Sequence, residues 1–272
     1  MKTFKNILLC TLILSVLLPA CKKDDPISGG SGGSNPPNVG NTNNCLLKKE
    51  IYYLESDTVN KSTTVYHYNH FNKPIKKLHF SGGYAYDSTL FEYDSEQKLK
   101  FVFEFSTFTN SLDTIKTYEY DNQDRLIKMF QYTYDTLNAI LNFSYNGNSE
   151  LPSTYFADFK HSPSEKHQLS WLNGNLVQSQ IIEVGGSPTN PRPTYTFAYD
   201  QKDNPYKGLY SYDLLFWEMF SSNNVKSISI QDRNNSLTQT YDLTYNNDVL
   251  VKRRSQLQGQ SAEITELEYS CN

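Results

Sequence analysis

The sequence predicts an all-β fold: an antiparallel meander of repeated β-hairpins, strongly twisted and curled into a barrel-like shape, with one short helical insert. Three observations carry this. A pair of aromatic residues one position apart, closed by Asp or Asn, returns along the chain. Between these pairs, apolar and polar residues alternate. Two cysteines, Cys45 and Cys271, bracket the repeated region.

The repeat is clearest at Tyr118-Glu119-Tyr120-Asp121. Related segments are Tyr66-His67-Tyr68-Asn69, Phe91-Glu92-Tyr93-Asp94, Phe143-Ser144-Tyr145-Asn146, Phe197-Ala198-Tyr199-Asp200 and Leu243-Thr244-Tyr245-Asn246, with Trp171-Leu172-Asn173 as a degenerate copy. Their second aromatics fall roughly 25 to 28 residues apart from 68 to 199, the mark of a repeat architecture. Alternation with period two means strand, because successive side chains point to opposite faces of the pleat. On this pattern Leu126, Lys128, Phe130, Tyr132 and Tyr134 share one strand face, and Leu99 to Phe105 alternate in the same way. Asp121-Asn122-Gln123-Asp124 has hairpin chemistry, since Asp and Asn bond locally and tolerate left-handed backbone. One hairpin is marginal in water, so the units must stack edge to edge. The chain has 21 Tyr and 15 Phe, and each such ring buries about 150–250 Å². Aromatics can therefore build the core, leaving one aromatic and one polar face.

The first 20 residues read as a secretory signal. Lys2 and Lys5 precede an apolar run from Ile7 to Leu18, too short for a permanent membrane helix. Residues 28–44, rich in Gly, Ser, Asn and Pro, cannot bury enough apolar area to fold and form a flexible tether. The folded domain is expected over 45–272. In an oxidising exported compartment, Cys45 and Cys271 read as a disulfide, with two unpaired thiols as the alternative. A bond between them brings the first and last strands together, which an open straight sheet could not do. The sheet must curl or fold back, hiding its edges.

Between Tyr199 and Tyr245 the spacing jumps to 46. The apolar block from Tyr212 to Phe220 lacks alternation and contains helix formers, so a helical insert is expected over about 206–222. Its aromatics Tyr206, Tyr210, Phe216 and Trp217 either plug the curled sheet or line a ligand cleft, and core packing is the preferred reading.

Leu18-Pro19-Ala20-Cys21 resembles the lipobox of bacterial lipoproteins, which implies cleavage before Cys21 and lipid attachment to it. Lys22-Lys23-Asp24-Asp25 is similar to the export signal of surface lipoproteins of the Bacteroidota, which implies an outer-membrane lipoprotein at the cell surface, with a periplasm-facing placement as second choice. The Tyr-x-Tyr-Asp units followed by Leu-x-Lys, the segment Asp200 to Tyr206, the insert and Tyr269-Ser270-Cys271 resemble the YD-repeat, RHS-like lipoproteins of unknown function of Bacteroidota. That family carries no catalytic residue to this chain.

Asp57-Thr58, Asp87-Ser88, Asp113-Thr114 and Asp135-Thr136, each followed by an apolar or β-branched residue, resemble the O-glycan acceptor of exported Bacteroidota proteins. Thr58, Ser88, Thr114 and Thr136 are thus possible glycosylation sites, although Asp opening a turn explains the same pattern. The net charge of −4 and pI near 5.8 give nucleic-acid binding no support; Lys252-Arg253-Arg254 reads as a solvated strand end. Five histidines lack metal-ligand spacing, the Asp-rich turns lack the order of a calcium loop, and no nucleophile elbow or phosphate loop occurs. No metal, cofactor or catalytic residue is expected. The expected function is a monomeric, membrane-anchored module that binds a glycan, peptide or protein. The alternative is a carbohydrate-active hydrolase with an acidic pair in the mouth of the curled sheet, beside the insert. A membrane-spanning barrel is disfavoured by Glu92, Lys100, Glu104, Glu119 and Gln131 opposite the aromatic rows.

Overall fold

The computed structural model describes residues 45–107, 109–189, 193–204, 220–232, 235–257 and 259–271. Seventeen antiparallel strands run from β1 (Cys45–Leu54) and β2 (Asp57–Tyr68) to β16 (Val249–Leu257) and β17 (Glu263–Cys271). Between them lie β3 (Pro74–Ser81), β4 (Tyr84–Tyr93), β5 (Leu99–Ser106), β6 (Ser111–Tyr120), β7 (Leu126–Thr133), β8 (Thr136–Tyr145), β9 (Pro152–Phe159), β10 (Glu165–Leu172), β11 (Asn175–Val184), β12 (Ser187–Pro188), β13 (Thr194–Asp203), β14 (Asn223–Asp232) and β15 (Asn235–Asn246). Each long strand pairs with its sequence neighbours, β11 pairs with β13 past the two-residue β12, and β17 pairs with β1. The result is a closed barrel of sixteen strands. The expected curl is therefore complete, and the Cys45–Cys271 disulfide joins residues paired in register across the seam.

The repeat has a physical role at each copy. In all eight units the second aromatic opposes a bulge: Tyr120 pairs with Leu126 and Glu119 with Lys128, leaving Ile127 extra. The same slip leaves Ile75 opposite Tyr68, Lys100 opposite Tyr93 and Ser153 opposite Tyr145. The eighth unit is Tyr269, which pairs with Leu47 across the seam, Lys48 being the extra residue. A bulge bends its strand and sharpens the local twist, and eight of them close the sheet.

The aromatic tip then ties each unit to the one before. Tyr68 Oη donates to Leu47 O at 2.6 Å, Tyr93 Oη to Pro74 O at 2.8 Å, Tyr120 Oη to Leu99 O at 3.0 Å and Tyr145 Oη to Leu126 O at 2.8 Å. Trp171, the degenerate copy, does the same with its indole Nε1, 2.6 Å from Pro152 O. Tyr199 reaches Leu176 O and Tyr269 reaches Leu250 O, both at 2.7 Å. Tyr120→Phe removes one such bond and is expected to cost about 1 kcal/mol in denaturant unfolding; an unchanged midpoint would show that the ring packing alone suffices.

The Asp or Asn after the aromatic caps the turn. Asp121 Oδ1 accepts from Gln123 N and Arg125 N at 2.9 and 3.0 Å, and Asp94 and Asn69 cap their turns identically. The third turn residue after the cap, Asn72, Gln97 or Asp124, has positive φ. The basic residue that follows reaches onward: Lys98 Nζ lies 2.6 Å from Asp124, and Arg125 Nη1 donates to Gly147 O at 2.7 Å while its guanidinium covers the Tyr145 ring.

One expectation needs correction. The bulges reverse the expected side-chain faces. Leu126 and Met129 point inward, both almost fully buried, whereas Lys128 and Phe130 face outward. Likewise Val102 is buried inside while Phe101 and Phe103 stack on the outer face. Aromatics thus occupy both faces, and Glu104 and Gln131 lie on the inner one, opposite Thr89 and Lys116. Of the helical insert expected over about 206–222, residues 206–219 lie outside the described residues, and Phe220, where the description resumes, is helical.

Inward side chains from β4 round to β15 form one continuous core including Phe91, Val102, Met129, Phe143, Leu176 and Tyr241. A smaller cluster of Leu47, Tyr66, Leu250 and Leu267 lies by the seam. Sixteen-stranded porins enclose an aqueous channel. Here the core residues of the inner wall are buried.

Candidate functional site

The barrel has two unlike ends. All the Tyr-Asp turns, the disulfide and both roots of the insert lie at one end. The short hairpins β1–β2, β3–β4, β5–β6 and β7–β8 turn at the other.

At the first end the insert leaves β13 after Asn204 and returns at Phe220. Phe220 is buried in the core, its ring 6.1 Å from those of Phe143 and Trp171. Ser222 N donates to Gly174 O at 3.1 Å, and Asn204 N to Ser222 O at 2.8 Å. Gly174 has φ +76° and a Cβ there would meet Ser222 Oγ at 2.5 Å, so this close approach requires glycine. Asn223 is bonded to Asn175, with Asn175 Nδ2 donating to Asn223 Oδ1 and Asn223 N to Asn175 Oδ1, both at 2.8 Å. Here the tyrosine ladder is diverted. Tyr245 Oη donates to Asp200 Oδ2 instead of to a backbone carbonyl, and Asn224 Nδ2 donates to Tyr245 Oη at 3.0 Å. Burial and the Asp200 carboxylate push the Tyr245 phenol far above its usual range. Asp200 also caps Lys202 N and Asn224 N at 3.0 and 3.1 Å.

Midway along the barrel the wall carries a polar layer. Lys77 is 1 % exposed and its Nζ stands 5.2 Å from the Tyr66 ring and 5.7 Å from that of Phe91. Tyr66 Oη donates to Glu50 Oε2 at 2.7 Å. Arg253, also buried, covers the Tyr241 ring. His79 lies 3.1 Å from Thr64 Oγ1 through Nδ1 and 3.2 Å from Thr89 Oγ1 through Nε2. Burial, with the Lys77 charge beside it, pulls its pKa down to about 4. His167 stacks on Tyr155 at 4.2 Å and bonds Ser179 and Glu165. Nearer the second end, Asp87, Glu104 and Asp113 follow one another on β4, β5 and β6, with Glu104 directly opposite Asp113. Burial raises the Asp87 carboxyl above its ordinary value. Among the described residues no group of three or more His, Cys, Asp or Glu stands where it could hold a metal.

Of the residues singled out in the sequence, Cys45 and Cys271 are bonded. Cys21, Tyr206, Tyr210, Phe216 and Trp217 lie outside the described residues. Thr58 and Thr136 are exposed and Thr114 is half-buried, whereas Ser88 is buried between strands. Of the acids beside the insert root, Asp200 is committed to the turn and to Tyr245 and Asp203 ends β13 opposite Asn223; the adjacent acids Glu104 and Asp113 lie toward the opposite end. Sequence reasoning missed the inward polar layer because it placed Glu104 and Gln131 opposite the aromatic rows by simple alternation and singled out neither Lys77 nor Lys116. A count of one bulge per unit would have found it.

The fold is similar to two solved structures. A porin-like protein from Bacteroides uniformis superposes with a TM-score of 0.52 at 12% identity, over 85% of this chain and 98% of that one. A porin-like protein from Bacteroides vulgatus gives 0.50 at 10% identity, over 82% and 98%. What is shared is the barrel. A lower similarity, with a TM-score of 0.35 and 11% identity, covers 84% of this chain and 11% of the TcdB2-TccC3 chain. No protein-family model and no curated protein matches the sequence.

Proposed function

We propose that the chain is a lipid-anchored envelope protein of the YD-repeat type whose closed barrel is a rigid, non-catalytic binding module. The observation that carries this reading is the pairing of a buried inner-wall core with a charged exterior. A pore needs an open lumen and a lipid-facing apolar band. Here the inner-wall core is buried, and the outer face carries ion pairs such as Lys128–Glu119, Lys252–Glu266 and Arg254–Asp242. Hydrocarbon would not accept them. The barrel then serves as a platform, held by residues 21–44 roughly 25–30 Å from the membrane, with Cys21 as the lipid-bearing residue and the cell surface as its place.

The hydrolase alternative has less support, since Asp200 at the insert root is held by structural bonds and the adjacent acids Glu104 and Asp113 lie toward the opposite end. The test uses the full chain in intact bacteria. Metabolic palmitate labelling and membrane retention are expected in the parent and lost in Cys21→Ser. External protease is expected to reach the protein on unbroken cells. Single-channel conductance in planar bilayers would overturn the proposal in favour of a pore.

A further inference from the structure

Among the described residues, exposed large apolar side chains are concentrated on one arc of the barrel. All but Phe71, Ile75 and Leu172 lie at the end remote from the Tyr-Asp turns, on the four consecutive hairpins that join β1 to β8. Val59, Tyr84, Tyr86, Leu112, Tyr134 and Leu137 form this arc; the described parts of the remaining hairpins at that end show no such residue. Tyr84 and Tyr134 are 81 % and 82 % exposed, so neither ring contributes to the core.

Tyr134 also sits in strained backbone. With Asp135 it forms a two-residue turn with φ of 49° and 55°, where Asn or Gly is the usual occupant. A tyrosine there opposes the backbone's preference without compensating burial, a combination that points to selection for contact with something else.

The charges of the arc are predominantly negative. Asp57, Asp87, Asp113 and Asp135 supply one negative charge per hairpin, Asp57 accepting from Asn60 Nδ2 within its own turn and Asp135 from Thr114 N of β6. Lys61 is the one cation along the described arc and its Nζ lies over the Tyr53 ring. Glu55 is engaged by Arg254 at 2.8 Å. Open tyrosine faces beside carboxylates attract guanidinium and ammonium groups, through the ring quadrupole and through charge. The chain enters the barrel at Cys45, at the opposite end, so the arc points away from the tether.

We propose that the arc from Val59 to Leu137 is the binding surface of the module, and that its partner is an Arg- or Lys-bearing polypeptide segment seated on Tyr84, Tyr86 and Tyr134. This names the ligand class and the site of the binding reading made above, and rests on it.

The probe is a fluorescein-labelled acetyl-(Gly-Arg)4 peptide, titrated into the full chain, with acetyl-(Gly-Glu)4 and a neutral glucan oligosaccharide as controls. The Arg peptide is expected to bind, and to bind more weakly at 500 than at 50 mM salt. Tyr84→Ala combined with Tyr134→Asn should weaken it about tenfold. Asp57→Asn and Asp135→Asn should weaken it about threefold each. Tyr134→Asn alone should raise the melting temperature while lowering affinity, which misfolding cannot mimic. No binding of the Arg peptide, equal binding of the Glu peptide, or indifference to the tyrosine substitutions overturns the proposal. Preference for glucan that depends on the same tyrosines would keep the arc as the site and reject the cationic partner. None of these outcomes alters lipid labelling or bilayer conductance, which test the parent reading separately.

Discussion

Replacing Cys45 and Cys271 together by serine is expected to lower the unfolding free energy by on the order of 5 kcal/mol, the chain-entropy value for a loop of this size. The bond spans a sequence separation of 226, so almost the entire folded chain lies within the loop that it closes. Its position makes the effect more specific. Seven units of the barrel pass from one strand to the next through a covalent connection after their aromatic; the eighth, at Tyr269, has no such turn. Cys271 bonds Cys45 where that turn would stand. Without it β1 and β17 are held by their backbone ladder, by inward contacts and by the side-chain bonds Lys49–Glu268 and Tyr53–Glu266. Denaturant unfolding of parent and double variant, each with and without reductant, measures the difference. Equal midpoints under oxidising conditions would mean that the seam is held by its pairing alone.

Acid is expected to destabilise the barrel through His79. Folding holds this imidazole neutral, with a pKa near 4 in the fold against about 6.5 when unfolded. Above pH 6.5 both states are neutral at this site and it adds no pH dependence. As pH falls from about 6.5 toward 4, the unfolded chain takes up a proton that the folded one refuses, and stability is lost. The full loss is about 3 kcal/mol, 1.36 kcal/mol per unit of pKa difference. His79→Gln can still bond to Thr64 and Thr89 but does not titrate. It should flatten the stability profile across this window, and an unchanged slope would assign the acid sensitivity to another group.

Much of the fold was legible because the repeat encodes it locally. The Tyr-Asp turns, the antiparallel meander and the meeting of the ends all follow from residues near one another or from the two cysteines. What escaped was the facing of the strands. Alternation places Leu126 and Lys128 together, yet one extra residue, Ile127, separates them to opposite faces. The bulge leaves no mark in a period-two count, since it depends on pairing with Tyr120 across the sheet. The eighth unit was hidden for another reason: Tyr269 is followed by Ser270 and Cys271, so its turn signal is missing. Trp171 looked degenerate by residue type, but its indole N–H can reach a carbonyl as well as a phenol can. For the candidate binding surface, the exposed tyrosines could be read as residues but not as an arc, because their proximity exists only once the sheet is closed.

The tyrosine ladder has a consequence for how the protein is built. Tyr68 bonds to Leu47 as Tyr93 bonds to Pro74, and Tyr269 bonds to Leu250 in the same manner. The ladder passes over the seam between the chain's two ends without a change of geometry. Topologically the barrel is thus a cyclic chain of hairpins that happens to be cut between β17 and β1, with a disulfide across the cut. A circular permutant opened at the Asp94 turn and joined from Cys271 to Cys45 by a short peptide would present the same ring of bonds.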